Sequence, residues 1–170
     1  MPLVPLNELP DDARTWVFGS DKSLDESAGT ALLIETDKFL AGWKAHGSQL
    51  TSGRDWSHRR FLTVAVDQSA AGASGCSIDG LFRALRSLEP KLGASLVNSG
   101  LIYYRDDSGD VQSVTRDTFT SLAANGKIRQ ETKVFDPTVI TLGEWRSKFE
   151  SDVDHSWHSG LIPGSARESV

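Results

Sequence analysis

The stretch "RFLTVAVD" (residues 60–67) decides the fold, because it is the strongest strand-forming segment of the chain. Its residues are β-branched and apolar almost without interruption, which is typical of a strand that is buried on both faces. We therefore expect this strand to lie in the middle of a sheet. The residues before it predict another strand within 49–68, with a turn near Ser57 to Arg59 joining the two.

The segment N-terminal to this hairpin predicts one strand and one helix. "RTWVFGS" (14–20) alternates apolar and polar residues, which favours a strand. Ser23 and Glu26 have the spacing of a capping box, in which each side chain bonds the other residue's free backbone N–H. The helix that they begin is predicted to end near Gly47, because glycine suits the left-handed terminal position.

The C-terminal side predicts a second helix followed by shorter elements. The second helix has an apolar stripe that consists of Ile78, Leu81, Phe82, Leu85 and Leu88. Pro90 and Gly93 are predicted to end this helix. The later elements are a hairpin (100–116), a short helix capped by Asp117 (117–126), a strand (131–136) and a last helix (141–151). Thr141 and Glu144 give this last helix a second capping box.

The order of these elements predicts an α+β fold. Up to residue 116 it reads strand, helix, strand, strand, helix, strand, strand, and the first six are the split βαβ order of a ferredoxin-like fold. We expect a mostly antiparallel sheet with helices on one face, plus C-terminal strand and helix additions. The alternative is a mixed sheet in which "FLTVAVD" runs parallel to a neighbour.

Length and composition predict one domain. The 170 residues can bury a sizeable core, and we assign residues 1–158 to a single α+β domain and 159–170 to a flexible tail. No stretch approaches the roughly 20 apolar residues that span a bilayer. The first residues lack the basic and apolar regions of a secretory signal. We therefore expect a cytoplasmic protein without a membrane partner.

Charge and cysteine count exclude further classes of protein. The net charge is −5, and the densest basic spot, Arg54 with His58–Arg60, is a patch rather than a stripe, so we expect no nucleic-acid partner. A single cysteine excludes an internal disulfide and a Cys-rich zinc site. No cofactor motif is present in the sequence, and we expect no cofactor.

The loop "VDQSAAGASGCSID" (66–79) leads from the strong strand into the second helix and holds the single cysteine. It matches no phosphate loop, dinucleotide fingerprint or nucleophile elbow. A small-residue loop at a helix N-terminus can still gather N–H groups around an anion and lower a thiol pKa. Alternatively, these residues only pack tightly, with the thiol in the core. The predicted ligand-binding residues are Ser74, Gly75, Cys76, Ser77, Asp67 and Asp79.

Histidines and one tryptophan form two further candidate groups. His155 and His158 stand three residues apart, as two ligands on one helix face would, but no third ligand is evident and we expect no metal site. Trp56 lies in a polar stretch and is either a half-buried hairpin aromatic or part of an interaction surface. That predicted surface consists of Trp56, His58, Arg59 and Arg60.

Several segments together resemble an uncharacterised family of small bacterial proteins, some of which carry the automatic label "ABC transporter ATPase". They are "RTWVF", "FLAGWKAHGSQL", "RFLTVAVDQSAAGASGCSID", "TKVFDPTV" and "SWH", and the resemblance covers roughly residues 8 to 158. It implies no catalytic residues. Asp67 after "LTVAV" is similar to a Walker B carboxylate, but the lysine-bearing phosphate loop and the signature motif are absent from the sequence, which excludes ATP hydrolysis by that mechanism.

Three hypotheses of function follow from the sequence. The least favoured is a structural subunit of a larger complex, which would dock through the surface around Trp56 and the C-terminal "SWH". The first is a non-catalytic binding or regulatory module that self-associates as a homodimer. Its loop 69–77 receives a small anionic ligand or a protein partner's backbone. The second is a thiol-dependent enzyme with Cys76 as nucleophile and its neighbouring N–H groups as oxyanion donors. The catalytic base would be a histidine that the fold brings close: His46, His58 or His158.

Overall fold

The computed structural model describes residues 3–69, 75–97 and 100–163, and for Cys76 it describes the backbone alone. The strands in this part of the chain are β1 (Arg14–Gly19), β2 (Lys44–Ala45), β3 (Ser48–Gln49), β4 (Ser52–Ser57), β5 (Phe61–Val66), β6 (Leu101–Arg105), β7 (Val111–Thr115), β8 (Lys133–Phe135) and β9 (Glu150–Asp152). The α-helices are α1 (Glu26–Ala41), α2 (Gly75–Leu92), α3 (Arg116–Ala124) and α4 (Leu142–Lys148).

The chain divides into two compact units. The first comprises residues 1–98 and 137–147, and the second comprises residues 99–136 and 148–170. The assignment of residues 1–158 to a single domain stays a prediction, because a compact unit need not fold independently.

The first unit contains a three-stranded antiparallel sheet in the order β1-β5-β4. β5 is buried along its whole length, which confirms the prediction that it is central. Its side chains alternate between two apolar clusters. Leu62, Val64 and Val66 belong to the cluster formed with α1 and α2, whereas Ala65 belongs to the cluster formed with Leu142 of α4. The sheet is therefore covered on both faces, and only α1 and α2 share the predicted helical face.

The first helix begins and ends at other residues than the sequence predicted. Asp25, not Ser23, is the N-cap, and its carboxylate accepts a hydrogen bond of 2.7 Å from the amide of Ala28. The helix ends at Ala41, and the chain then forms the short β2–β3 hairpin. His46 and Gly47 form its turn with positive φ angles of 52° and 79°. His46 therefore lies in a hairpin turn rather than at a helix C-terminus.

The second helix follows its predicted span more closely. α2 runs to Leu92, with Pro90 inside its last turn rather than at its end. Gly93 has a φ of 66° and its amide donates to the carbonyl of Glu89 at 3.0 Å, as a left-handed terminal glycine does. The helix thus stops at the glycine that the sequence predicted.

The second unit contains a four-stranded antiparallel sheet in the order β7-β6-β8-β9. α3 is capped by Thr115 rather than by Asp117, since the Thr115 hydroxyl accepts from the amide of Thr118. Its Phe119 packs with Ile102, Ile128, Val134 and Val153 in a separate apolar cluster. Leu161 and Ile162 also contact this cluster, so the described start of the predicted tail is packed.

The α+β class is confirmed, and the ferredoxin-like strand order is not. β1, β5 and β4 have the order of one split βαβ unit, but β6, predicted to complete that sheet, pairs with β7 and β8. The alternative with a parallel neighbour is wrong, because β5 is antiparallel to both of its neighbours. Across residues 3–69, 75–97 and 100–163, no helix has the length and apolar character needed to cross a membrane.

Candidate functional site

The predicted loop site lies mostly outside the described residues. Residues 70–74, including Ser74, and the side chain of Cys76 fall there. Gly75 is the first residue of α2, and Ser77 is buried, with its carbonyl accepting a hydrogen bond of 2.8 Å from Nε1 of Trp43. The anion-binding and thiol hypotheses therefore stay predictions.

Asp67 and Asp79, the two carboxylates assigned to that site, share no partner in the described contacts. Asp67 forms a local turn, in which its Oδ1 accepts from the amide of Ser69 at 2.9 Å. Hydrogen bonds from the backbone and side chain of Ser69 lower the pKa of Asp67. Asp79 is exposed on α2. The geometry thus accounts for Asp67 as a turn residue.

The four residues of the predicted surface around Trp56 differ in exposure, so they do not form one surface. Trp56 is half-buried against the helical cluster, and its Nε1 lies 3.3 Å from the position that a Cβ of Gly29 would take. Arg60 is buried and its Nη1 donates to the carbonyl of Ser20 at 3.2 Å, so this arginine is structural. His58 and Arg59 remain exposed, in a turn with φ angles of 57° and 56°.

His158 is fully buried in the second unit rather than placed in an open site. Its ring stacks on Trp157 at 3.9 Å between centroids, and its Nδ1 lies 2.6 Å from Oγ of Ser156. Burial lowers its pKa to about 4; Asp136 opposes this shift and Arg116 adds to it. A base of this kind is neutral at pH 7 but weak.

His155, the other half of the predicted pair, is largely exposed, with Nδ1 at 3.9 Å from Oδ2 of Asp152. Among the described residues, no cluster of three or more histidine, cysteine or acidic side chains could hold a metal ion.

A groove along the outer edge of β1 is the candidate site that sequence reasoning missed. It has a volume of about 280 Å³ and is lined by β1, by residues 137–140, by Phe82 of α2, and by Leu96 and Val97. All of these residues belong to the first unit.

The groove exists because a second segment pairs with β1 at one end only. The amide of Thr15 donates to the carbonyl of Ile140 at 3.0 Å, and the amide of Leu142 donates to the carbonyl of Ala13 at 3.0 Å. Between Ile140 and Pro137, no described backbone hydrogen bond connects this segment to β1. Residues 137–139 therefore diverge from β1, and the space between this segment and the strand is the groove.

Val17 presents its backbone to this groove. Backbone groups alternate between the two neighbours of an antiparallel strand, and Thr15 directs its amide away from β5. Val17, two residues further along, must direct its N–H and C=O the same way. Within the described ranges, neither group has a hydrogen-bond partner. The N–H and C=O of Val17 thus offer one donor and one acceptor, placed as they are for pairing with a neighbouring antiparallel strand.

Aromatic side chains and one arginine complete the groove. Phe18 and Phe82 meet edge to face at 5.4 Å, and Trp16 contacts Trp43 in the same way at 6.2 Å. The guanidinium of Arg14 lies over the Trp16 ring at 5.2 Å from its centroid, and Nη1 makes a long contact of 3.4 Å with the carbonyl of Ile140. This arrangement provides apolar contact, directional backbone bonding and one positive charge.

Comparisons of this chain with protein-family models, with curated proteins and with solved structures found no match. The resemblance to a family of small bacterial proteins therefore stays a prediction.

Proposed function

We propose that this protein is a non-catalytic interaction module that binds an extended segment of a partner protein along the edge of β1. The observation that supports this proposal is the backbone of Val17, whose N–H and C=O face the groove without a partner among the described residues. Extended peptides recognise exposed sheet edges in this way, with main-chain hydrogen bonds for affinity and side-chain pockets for specificity.

The chain's own pairing at this edge supports the proposal. Residues 140–142 already bond to Ala13 and Thr15 as a neighbouring strand does, so the start of β1 does pair on this side. Val17 lies about 7 Å along the edge from Thr15 at the usual rise per residue. An added segment would therefore use its central two or three residues in the groove.

The topology of the first unit is a second argument. Its three strands have the order of a split βαβ unit, and a ferredoxin-like sheet places a fourth strand beside the first. In the part of the chain that the structure describes, residues 140–142 bond to the start of β1, and no backbone hydrogen bond fills the place beside Val17. In our proposal, the partner supplies the missing strand, and the first unit thereby acquires the complete ferredoxin-like sheet.

The test removes the donor of Val17 without removing its bulk. Val17→Pro deletes the N–H, and proline is tolerated at a strand edge where that N–H does not bond within the sheet. Val17→Ile keeps the N–H and serves as the matched control. A library of extended heptapeptides is displayed on phage, selected on the wild type, and the selected peptides are then synthesised and titrated by NMR against all three proteins.

We expect selected peptides to shift the amide resonances of β1 and to bind Val17→Ile like the wild type. Val17→Pro should weaken binding at least tenfold, because it loses one backbone hydrogen bond and the alignment of the strand. Equal binding to Val17→Pro and Val17→Ile would refute strand addition at this edge. A wild-type dimer that Val17→Pro converts to a monomer would instead show that the added strand comes from a second copy.

A further inference from the structure

We infer that the partner segment carries a carboxylate, two residues from a large apolar side chain. This inference rests on the proposed function, because it names the chemistry of the strand that the β1 groove receives. Three observations carry it: the position of Arg14, the aromatic wall of the groove, and the alternation of side chains along β1.

Arg14, Trp16 and Phe18 lie on the same face of β1, since successive side chains of a strand alternate. Trp16 and Phe18 pack against the cluster that α1 and α2 form, which identifies this as the helical face. Phe82 of α2 contacts Phe18 on this face and also lines the groove. One end of the face is therefore aromatic and the other end carries the guanidinium.

The register of an added strand assigns a preference to each position. The partner residue opposite Phe18 has its side chain on the helical face, beside Phe82, where a large apolar group is favoured. The partner residue opposite Trp16 is two residues away on the same face. Arg14 is its diagonal neighbour, within reach of a long side chain. A glutamate at that position can therefore meet the guanidinium.

Arg14 is available for such a contact. No described carboxylate lies within ion-pair distance of its guanidinium, whereas Arg54 is held by Asp37 in a two-bond pair of 2.8 and 2.9 Å. The contact of Arg14 Nη1 with Ile140 at 3.4 Å leaves most of its five N–H donors open. The Trp16 ring beneath the guanidinium restricts its position, so less side-chain freedom is lost when a carboxylate binds.

The experiment is a charge swap between protein and peptide. Three heptapeptides are used, identical except for glutamate, glutamine or lysine at the position two residues C-terminal to a phenylalanine, with valine and serine elsewhere. They are titrated against wild type, Arg14→Gln and Arg14→Glu at low salt and at 0.5 M NaCl. Arg86→Gln, an exposed substitution on α2, controls for net charge.

The wild type and Arg86→Gln should prefer the glutamate peptide over the glutamine peptide by about fivefold at low salt. Arg14→Gln should bind these two peptides equally, and Arg14→Glu should prefer the lysine peptide. All these preferences should shrink at 0.5 M NaCl because the charges are partly exposed. Reversal of preference by a single side chain is a result that a merely structural role of Arg14 does not produce.

Two outcomes would overturn the inference, and they are distinguishable. If the wild type binds all three peptides alike and Val17→Pro still abolishes binding, strand addition stands and the carboxylate preference is wrong. If the wild type binds none of them and also yields no selected peptide from the library, the proposed function itself fails and the inference fails with it.

Discussion

The edge of β1 and the surroundings of His158 each leave polar groups without a hydrogen-bond partner among the described residues, but the two regions differ in access. At β1, the outward N–H and C=O of Val17 face a groove of about 280 Å³. In the second unit, Nε2 of His158 belongs to a side chain with 0% exposure, packed against Phe119 and Trp157.

This difference decides what an unpartnered group means. A buried polar group that lacks a hydrogen bond costs roughly 1–3 kcal/mol of stability. Where a partner can reach the group, water can reach it too, so the group does not bear that cost. Exchanging the water for a partner's backbone group contributes a net stabilisation of about 0.5–1.5 kcal/mol, and the group becomes a determinant of recognition. Where side chains seal the group, only the loss of stability remains. The comparison predicts that changes at Val17 alter the binding of a partner, and that changes at His158 alter the free energy of unfolding.

The largest expected effect on stability is an acid sensitivity that depends on His158. Its pKa is about 4 in the folded protein and about 6.5 when exposed, so between these values only the unfolded chain binds the proton. The free energy of unfolding should therefore fall as pH falls from 6.5 to 4, by on the order of 3 kcal/mol in total. Urea unfolding, followed by tryptophan fluorescence at several pH values, measures this slope.

His158→Gln is the control, because it keeps a polar side chain and removes the titration. Subtracting its profile also cancels other groups that titrate nearby in pH, such as Asp55, whose pKa is raised by burial. Protonation of carboxylates whose pKa is lowered in the folded protein should reduce stability only at lower pH. These carboxylates are Asp67, Asp106 and Asp152. Parallel profiles of wild type and His158→Gln between pH 6.5 and 4 would show that the histidine is accessible to protons when folded.

A smaller effect is expected at Thr36, which tests the sealed case in the first unit. Thr36 lines a groove of about 320 Å³ between α1 and α2, but its hydroxyl is buried and has no partner in the part of the chain that the structure describes. Thr36→Val replaces the hydroxyl with a methyl group of similar size. We expect the free energy of unfolding to rise by about 1 kcal/mol.

Thr36→Ser separates the two parts of that side chain, since it keeps the hydroxyl and removes the methyl group. It should lower stability by about 1 kcal/mol, because a buried methyl group is lost. Denaturant titrations of both variants measure these changes in the free energy of unfolding. A loss of stability in Thr36→Val would mean that the hydroxyl does bond in solution, and the comparison would then apply to His158 alone.

Much of the secondary structure could be predicted from the sequence, because its signals are local. The run "FLTVAV" became the buried central strand β5, and the capping box of Thr141 and Glu144 forms with hydrogen bonds of 3.2 Å in both directions. The end of α1 could not be predicted in this way. Trp43 continues the helical spacing, yet the chain leaves the helix at Gly42 because Lys44–Gln49 form a hairpin instead.

The candidate site depends on interactions that a local pattern does not contain. "RTWVFG" predicts a strand equally well whether its outer edge is paired or open. Only the tertiary structure shows that β6 pairs with β8 instead of β1, and that residues 137–139 diverge from the edge. Arg14 would also have passed for an ordinary surface charge, since its place over Trp16 and beside the groove is a property of the fold.

The last expected effect, no larger than those at Thr36, is the stability cost of Val17→Pro, and it tests the access argument at β1 directly. If the N–H of Val17 makes no hydrogen bond within the protein, its loss should lower the free energy of unfolding by only about 1 kcal/mol, mainly through the restricted φ angle. Val64→Pro is the matched variant in the central strand, where Val64 pairs with both Trp16 and Arg54. It should cost about 3 kcal/mol or more. Similar costs for the two variants would show that the edge of β1 is already closed, and a closed edge cannot take a partner strand.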